Sequence, residues 1–337
     1  MLKRGWMLAL AGVAWTGFAI APAGAATVLA KGAKWEKVST AGKAFAEGVV
    51  AAKDGSIYLV DLAPPGTLFR YDPTTGKTET VMSPSNMANG LYVDKNGDLL
   101  MGQGLPGSQM LAKRNLRTGA VTKLVDSYQG KKMIAPNDIT QDANGRIYFT
   151  DGRFNQTEEP QLPNSVYRLD PDGKVTLLTT DIGRPNGIEI SPDGKRLYVA
   201  DTIADRLKPN PLNVGGDKFG ITKGGVIVYD IKRDGSIANG RVFWKTEVAL
   251  ADGMAMDTSG NLYVASHDKP TKGRLIVAIA PSGKVIEELP LPDEGLTVQL
   301  GFGRGADAKT LYLATGDPWG LWKIKTRRKG FYRNDLK

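Results

Sequence analysis

The chain has 337 residues, of which 41% are hydrophobic and 23% charged, a balance that excludes a disordered protein and allows a sizeable core. It has no cysteine, which excludes disulfides, thiolate metal sites and thiol catalysis. The formal net charge is +9, and it falls to +7 when Lys3 and Arg4 are left out.

The amino-terminal segment has the pattern of a secretory signal peptide. Lys3 and Arg4 precede an apolar run over residues 6–20, which is too short for a comfortable membrane span and ends at Ala23-Gly24-Ala25. We therefore predict a signal peptide over residues 1–25 and a single domain over residues 26–337. An uncleaved amino-terminal anchor is the alternative. In both cases we expect an exported chain, periplasmic or secreted, with no stable membrane insertion once the signal is cleaved.

One local phrase recurs six times along the chain: a turn, which contains glycine in all instances but the last, followed by a short strand. The instances are Asp54-Gly55-Ser56-Ile57-Tyr58, Asn96-Gly97-Asp98-Leu99-Leu100, Asn144-Gly145-Arg146-Ile147-Tyr148, Asp193-Gly194-Lys195-Arg196-Leu197-Tyr198, Ser259-Gly260-Asn261-Leu262-Tyr263 and Ala308-Lys309-Thr310-Leu311-Tyr312. Counted at the last residue of each instance, the spacings are 42, 48, 50, 65 and 49 residues, which are typical of propeller blades.

A second phrase alternates with the first, a strand that leads into a polar hairpin turn. It occurs at residues 68–73, 166–173, 226–230 and 275–279. Asp-Gly and Ser-Gly between alternating apolar residues are strong hairpin signals. Two hairpins per repeat give a four-stranded antiparallel sheet, and six such sheets predict an all-β, six-bladed β-propeller. The last blade, which ends at residues 321–325, lacks one strand, and we expect residues 34–39 to supply it and close the ring.

Two connections are longer than the repeat requires. Residues 152–165 and 202–224 are rich in Pro, Asn and Gly. Because long ordered loops in compact domains are often functional, we predict that both lie at the mouth of the propeller as walls of a substrate pocket.

Each of the first five blades carries an acid or an amide at the start of its innermost strand. These residues are Glu47, Asn89, Asn137, Asn186 and Asp252, and Gln299 is the nearest amide in blade six. One such residue alone would be typical of a turn. Turn chemistry gives no reason, however, for five polar residues to fall in register. We therefore predict that these side chains converge on the channel axis.

Carboxylate and amide oxygens that meet on one axis favour a hard divalent cation. Glu47 and Asp252 would repel each other in a channel unless a cation or a proton lay between them. We therefore predict a central metal site with one divalent cation, most readily Ca²⁺, and oxygen-ligated Zn²⁺, Mn²⁺ or Mg²⁺ are alternatives. Zn²⁺ is less natural because it prefers His and Cys ligands, and this chain offers only His267.

The same motifs resemble those of a known family. In chain order they are Glu-Gly at 47–48, Asn-Gly at 89–90, Pro-Asn-Asp at 136–138, Pro-Asn-Gly at 185–187 and Asp-Gly-Met at 252–254. This order resembles the gluconolactonase, regucalcin and luciferin-regenerating enzyme family over about residues 44–318. The resemblance implies a six-bladed propeller with one divalent metal in the channel. The family includes lactonases and the related diisopropyl fluorophosphatase.

The resemblance also implies roles for individual residues. Glu47, Asn186 and Asp252 would bind the metal, Asn137 would complete that shell or hold substrate, and Asn89 would line the pocket.

Blade six and two alanine positions depart from the family. Gln299 lies in an altered blade-six phrase, and we predict that it forms part of the substrate wall. Ala135 stands where regucalcin-type members have an arginine, which puts binding of the same sugar acids in doubt. Ala255 stands where the fluorophosphatase has an aspartate for a second calcium, so a second calcium is not expected.

The leading hypothesis is a metal-dependent lactonase in which Asp252 acts as the general base. Three alternatives use the same scaffold: a phosphotriesterase-like hydrolase, a lyase, and a non-catalytic periplasmic propeller that binds a ligand. A serine hydrolase is not expected, because the chain has one histidine and no nucleophile motif. His267, in the loop just after the blade-five strand, could contact substrate, but we predict that it is a surface residue.

Four further side chains, close to these polar residues in the sequence or in the repeat, have predicted roles. Asp138, Asp151 and Asp201 are expected to bond turn amides and orient the asparagines. Phe154 is expected either to cover an apolar substrate or to serve only in packing.

Basic residues are crowded into the carboxy-terminal tail: Lys323, Lys325, Arg327, Arg328, Lys329, Arg333 and Lys337. Such a tail can bind nucleic acid or anionic lipid, but no aromatic platform is interleaved with it. We predict a solvated strand edge and a frayed terminus, and a small-molecule substrate instead of a nucleic acid. The sequence does not indicate an oligomeric state.

Overall fold

The computed structural model describes residues 27–154, 156–203, 209–213, 218–267, 275–291, 295–316 and 318–335. The predicted signal peptide, residues 1–25, lies outside the described residues, as do parts of the long connection over 202–224. None of the helices in the described residues has the length and apolar character needed to span a membrane.

The described chain forms 26 strands and two short 3-10 helices, Gly305–Asp307 and Arg333–Asp335. After β1 (Glu36–Ser39), blade one contains β2 (Ala46–Ala51), β3 (Ile57–Asp61), β4 (Thr67–Asp72) and β5 (Lys77–Met82). Blade two contains β6 (Ala88–Val93), β7 (Leu99–Gln103), β8 (Met110–Arg114) and β9 (Val121–Val125), and a small hairpin of β10 (Ser127–Tyr128) and β11 (Lys131–Lys132) follows. Blade three contains β12 (Pro136–Gln141), β13 (Ile147–Asp151), β14 (Ser165–Leu169) and β15 (Val175–Thr179).

The remaining strands complete the ring. Blade four contains β16 (Pro185–Ile190), β17 (Arg196–Thr202), β18 (Gly224–Ile231) and β19 (Ile237–Thr246). Blade five contains β20 (Leu250–Met256), β21 (Leu262–His267), β22 (Leu275–Ile279) and β23 (Val285–Pro290). Blade six contains β24 (Leu296–Phe302), β25 (Thr310–Gly316) and β26 (Gly320–Lys325).

The protein is a six-bladed β-propeller, as predicted. Each blade is a four-stranded antiparallel sheet, and the innermost strands β2, β6, β12, β16, β20 and β24 contact one another in a closed circle. The sixth sheet has the order β1-β26-β25-β24, so the amino-terminal strand is the outer strand of the last blade. The predicted ring closure is therefore confirmed.

The core is divided into six apolar clusters, each between two neighbouring blades. The tyrosine of the repeat phrase is part of this packing, since Tyr148, Tyr198, Tyr263 and Tyr312 are almost completely buried. Strands β3, β13 and β21 are buried along their whole length because a blade covers each of their faces. This packing fixes the relative positions of the strands that line the channel.

The carboxy-terminal segment crosses the end of the channel opposite the mouth, which contradicts the prediction of a frayed terminus. The backbone N–H of Phe331 donates to the carbonyl of Met256 at 2.8 Å. The Asn334 side chain donates to the carbonyl of Val93 at 2.6 Å. The predicted open strand edge is wrong, because β1 pairs with β26, but the basic residues Lys325, Arg327 and Lys329 are exposed as predicted. The sequence pattern of the tail did not indicate these contacts, because the residues that it bonds lie far away along the chain.

Candidate metal centre and substrate cavity

In blades one to five, the innermost strand carries the polar residue predicted to point to the channel axis, here called the ring residue, at a break in strand register. Pairing of β12 with β13 shifts between Pro136 and Ile139, and pairing of β16 with β17 shifts between Pro185 and Ile188. The strands β6 and β20 have the same irregularity after Ala88 and Ala251, and β2 has it after Glu47. Irregularities of this kind re-aim a side chain, and here they occur at Glu47, Asn89, Asn137, Asn186 and Asp252.

A repeated aspartate fixes the backbone that enters the ring in three blades. Asp151 accepts the N–H groups of Ile134 and Ala135, the latter at 2.7 Å. Asp201 accepts the N–H groups of Gly183 and Arg184, and Asp61 accepts those of residues 43–45. The prediction that Asp151 and Asp201 bond turn amides is therefore confirmed.

Glycine follows the ring residue in four blades because neighbouring strands approach closely there. A Cβ atom on Gly187 would collide with the carbonyl oxygen of Asp252. One on Gly48, whose φ is +62°, would collide with the carbonyl oxygen of Asn89. The Asn-Gly, Glu-Gly and Asp-Gly motifs thus combine a polar ring side chain with the space that the next blade requires.

Three ring residues form a chain of hydrogen bonds. The Asn137 amide donates to Asn186 Oδ1 at 3.2 Å, and the Asn186 amide donates to Asp252 Oδ1 at 2.6 Å. All three side chains are buried. Asn137 Oδ1 has no hydrogen-bond partner among the described residues. The structure therefore brings Asn137, Asn186 and Asp252 together and leaves Asn137 Oδ1 as a buried acceptor at the end of this series of hydrogen bonds.

Glu47 adds a second buried carboxylate to this group. It is only 6% exposed, and burial raises its pKa well above the usual value, as do the carboxylates of Asp252 and Asp138. No Lys or Arg of the described residues forms an ion pair with Glu47 or Asp252. A buried carboxylate without a compensating charge costs several kcal/mol, so the site favours a cation.

The donor set fits a hard divalent cation. Glu47 and Asp252 supply carboxylate oxygens, Asn137 and Asn186 supply amide oxygens, and the unpartnered Oδ1 of Asn137 is a spare acceptor. Within the described part of the chain, no group of three or more His, Cys, Asp or Glu has the arrangement of a metal site. The candidate set does not depend on such a group, because half of its ligands are amides.

His267 lies in this site, and the prediction that it is a surface residue is wrong. It is 2% exposed, and its Nε2 lies 3.0 Å from Asp252 Oδ2. In blade four, Thr202 occupies the same place in the repeat and accepts a hydrogen bond from the Asn186 amide at 3.1 Å. Alignment of Leu-Tyr-Val-Ala-Asp-Thr at 197–202 with Leu-Tyr-Val-Ala-Ser-His at 262–267 is the sequence signal that would have revealed this role.

Gln299 lies one residue below the ring, away from the cavity in which the sequence predicted it. Pairing of Thr297 with Thr315 makes Val298 the blade-six counterpart of the ring residues. Gln299 instead donates to both carboxylate oxygens of Asp138 at 2.8 Å. Burial raises the pKa of Asp138 to about 7, against the lowering effect of the Gln299 hydrogen bonds. Asp138 thus bonds Gln299, not a turn amide as predicted.

A cavity of about 330 Å³ lies above the ring at the mouth of the propeller. Glu47, Asn137, Asn186 and Asp252 line it together with Asn89 and His267. Phe154 and Gln156 line it from the connection 152–165, which confirms the prediction for that connection. Of the connection 202–224, Thr202 alone among the described residues lines the cavity, and it is the last residue of β17, so the prediction for the rest of that connection stays a prediction.

The sequence model of the family described as "SMP-30/Gluconolactonase/LRE-like region" matches residues 45–317. The chain belongs to this family. The matched region extends from just before the ring residue of blade one to the end of β25. The matched region therefore contains every ring residue from Glu47 to Asp252.

Curated relatives include two enzymes named for lactone hydrolysis. The protein is 28% identical over 241 residues to the gluconolactonase of Zymomonas mobilis, with 66% of this chain and 64% of that enzyme covered. It is 28% identical over 262 residues to the pentonolactonase XacC of Haloferax volcanii, with 77% of each covered. The chain thus spans less than two thirds of the length of the first of these enzymes.

Solved structures show the same fold. The gluconolactonase XC5397 of Xanthomonas campestris superposes with a TM-score of 0.71 at 23% identity, with 87% of this chain and 89% of that chain covered. Regucalcin of Agrobacterium tumefaciens, described as a calcium-binding protein, superposes with a TM-score of 0.65 at 18% identity, with 88% and 96% covered.

Proposed function

We propose that this protein is a lactonase that depends on one divalent cation, most readily Ca²⁺. The observation that carries the proposal is the convergence of Glu47, Asn137, Asn186 and Asp252 on the floor of one cavity. Relatives named gluconolactonase and pentonolactonase, and a regucalcin described as calcium-binding, support the activity and the cation.

Glu47, Asn186 and Asp252 would hold the cation, with Asn137 as a fourth ligand. Their oxygens are the donors that Ca²⁺ prefers, and positioning by four separate blades makes the site rigid. When bound, a divalent cation polarises the lactone carbonyl and stabilises the negative charge that develops on its oxygen.

Asp252 is the group that removes the proton from the attacking water. The water oxygen forms a bond to the carbonyl carbon, the ring C–O bond breaks, and the proton passes through Asp252 to the departing alkoxide. The Asn186 amide and His267 bond separate oxygens of this carboxylate and fix its plane. Each carboxylate oxygen can still accept another hydrogen bond.

We propose export to the periplasm or the medium, because residues 1–25 have the signal-peptide pattern. The mass of the mature chain from a cell fraction tests this proposal. A chain that begins near residue 26 in the exported fraction is the expected result, and a full-length chain retained in the cytoplasm would contradict it.

The activity is tested with purified protein, added Ca²⁺ and a panel of lactones, phosphotriesters and esters. We expect lactone hydrolysis, with product mass increased by one water. Asp252→Asn should reduce kcat by at least about 100-fold with the fold intact, because general-base catalysis contributes about 10² to 10⁴. Glu288→Gln, at an exposed position on β23, is a matched control. Near-normal turnover by Asp252→Asn would exclude its assigned role, and a product without added water would indicate a lyase.

A further inference from the structure

Two positions of the repeat form most of the cavity wall. The first is two residues before the ring residue, and its members in the wall are Phe45, Met87, Ala135 and Leu250. The second lies at the outer end of the strand that pairs with the innermost strand, and its members in the wall are Leu62, Gly104, Thr202 and His267. All four members of the first set are apolar, and Leu62 and the ring of Phe154 extend this surface.

Several polar groups of the wall are engaged with the protein, whereas the Asn89 amide and Gln156 Nε2 have no hydrogen-bond partner among the described residues. The Thr202 hydroxyl donates to the carbonyl of Ala251 and accepts from Asn186. Gln156 Oε1 accepts the backbone N–H of Phe154 at 2.7 Å. His267 Nε2 is bonded to Asp252. A sugar lactone brings several hydroxyl groups, and each one buried without a partner lowers affinity by about tenfold or more. Apart from the Asn89 amide and Gln156 Nε2, the described wall therefore has few groups that can satisfy them.

The charge of the described wall also limits the substrate. It contains the carboxylates of Glu47 and Asp252 but no lysine or arginine. Arg184 lies behind Phe154, with its guanidinium carbon 6.0 Å from the ring centroid. Its N–H groups donate to the carbonyls of Arg153 and Thr202. A carboxylate or phosphate on the substrate would therefore find no cationic side chain in the described wall.

We propose that the preferred substrate is an uncharged lactone with an apolar substituent, in place of a polyhydroxylated sugar lactone. This inference rests on the proposed lactonase function and names its substrate class. The lactone carbonyl lies over the ring residues, and the substituent lies against Phe45, Leu62, Met87 and Phe154.

The substituent would extend from the lactone ring along the apolar part of this cavity, whose volume is about 330 Å³. Each methylene that leaves water for this wall should raise kcat/KM about fourfold.

The experiment measures kcat/KM with Ca²⁺ present for δ-lactones whose alkyl substituent increases from none to butyl. The comparison substrates are D-glucono-δ-lactone and a phosphorylated aldonolactone, and each value is divided by the uncatalysed rate. We expect a rise of about fourfold per carbon and lower values for both comparison substrates. A flat or falling series, or a higher value for gluconolactone, overturns the inference while the lactonase proposal stands. Absence of hydrolysis for every lactone overturns the lactonase proposal itself.

Phe154 provides a second measurement within the same series. Phe154→Asn should reduce the increase per carbon to about twofold or less, because one side of the wall becomes polar. Phe154→Leu is the matched variant that keeps an apolar side chain, and it should retain most of the increase. Equal slopes for the two variants would exclude contact between Phe154 and the substituent.

Discussion

Tyr332 should stabilise the whole propeller, although it lies in the tail beyond the last strand. Its hydroxyl donates to the carbonyl of Phe302 and accepts the N–H of Ala51 at 3.4 Å. Its ring packs against three inter-blade clusters and lies 3.9 Å from the guanidinium carbon of Arg304. One side chain thus contacts the blade-one and blade-six strands that line the channel.

The expected losses follow from these contacts. Tyr332→Phe removes two hydrogen bonds and should cost about 1–2 kcal/mol of the free energy of unfolding. Tyr332→Ala also removes ring packing that costs about 3–5 kcal/mol at a fully buried site. Because Tyr332 is half-buried, we expect a loss of roughly 2–4 kcal/mol in total.

Equilibrium urea unfolding of the two variants, with the slope m compared, measures these losses. Lys329→Ala, an exposed position in the same tail, is the control and should lie within about 0.5 kcal/mol of the unmodified protein. A Tyr332→Ala protein as stable as this control would refute the interpretation that the tail closes the channel.

Three further substitutions test the interior of the channel. His267→Ala should lower kcat/KM or Ca²⁺ affinity by about 10–100-fold, because Asp252 loses its partner; unchanged kinetics and calorimetry would contradict this. Burial raises the pKa of Glu189 to about 8, so the unmodified protein should lose stability as the pH rises from about 4.5 to about 8. Glu189→Gln should have the same free energy of unfolding as the unmodified protein below about pH 4.5 and a higher one near pH 8, and a pH-independent difference would contradict this. Gln299→Leu should cost about 1–3 kcal/mol by leaving Asp138 unpaired, and unfolding at unchanged urea concentration would exclude this.

The blades and the ring could be predicted from local patterns. Hairpin turns repeat at blade spacing, and a tyrosine in five of the six repeat phrases marks the buried strand next to the innermost one. Because the repeat aligns equivalent positions, Glu47, Asn137, Asn186 and Asp252 could be assigned to one level. Closure by β1 followed from the strand that the last blade lacked.

The incorrect predictions concern residues whose position depends on strand register or on partners that are distant in the sequence. Gln299 was predicted one position away from where it lies, because blade six has the apolar Val298 at the ring position. The nearest amide, Gln299, is the next residue and lies below the cavity floor. His267 was assigned to a loop because β21 continues two residues beyond the apolar run Leu262–Ala265. The tail was assigned to solvent because its basic residues show no periodicity, whereas its carbonyl, amide and ring partners belong to several blades.

The central claim is that the ring residues hold a divalent cation that lactone hydrolysis requires. Titration of Ca²⁺ into metal-stripped protein by calorimetry, followed by lactone assays on the same sample, tests it most directly. We expect one site, stabilisation of about 2.7 kcal/mol at 100-fold excess over Kd, and recovery of activity in parallel with occupancy. Glu47→Gln should weaken binding and activity together. Full lactone hydrolysis by the metal-stripped protein, or Ca²⁺ affinity unaffected by Glu47→Gln, would contradict the claim.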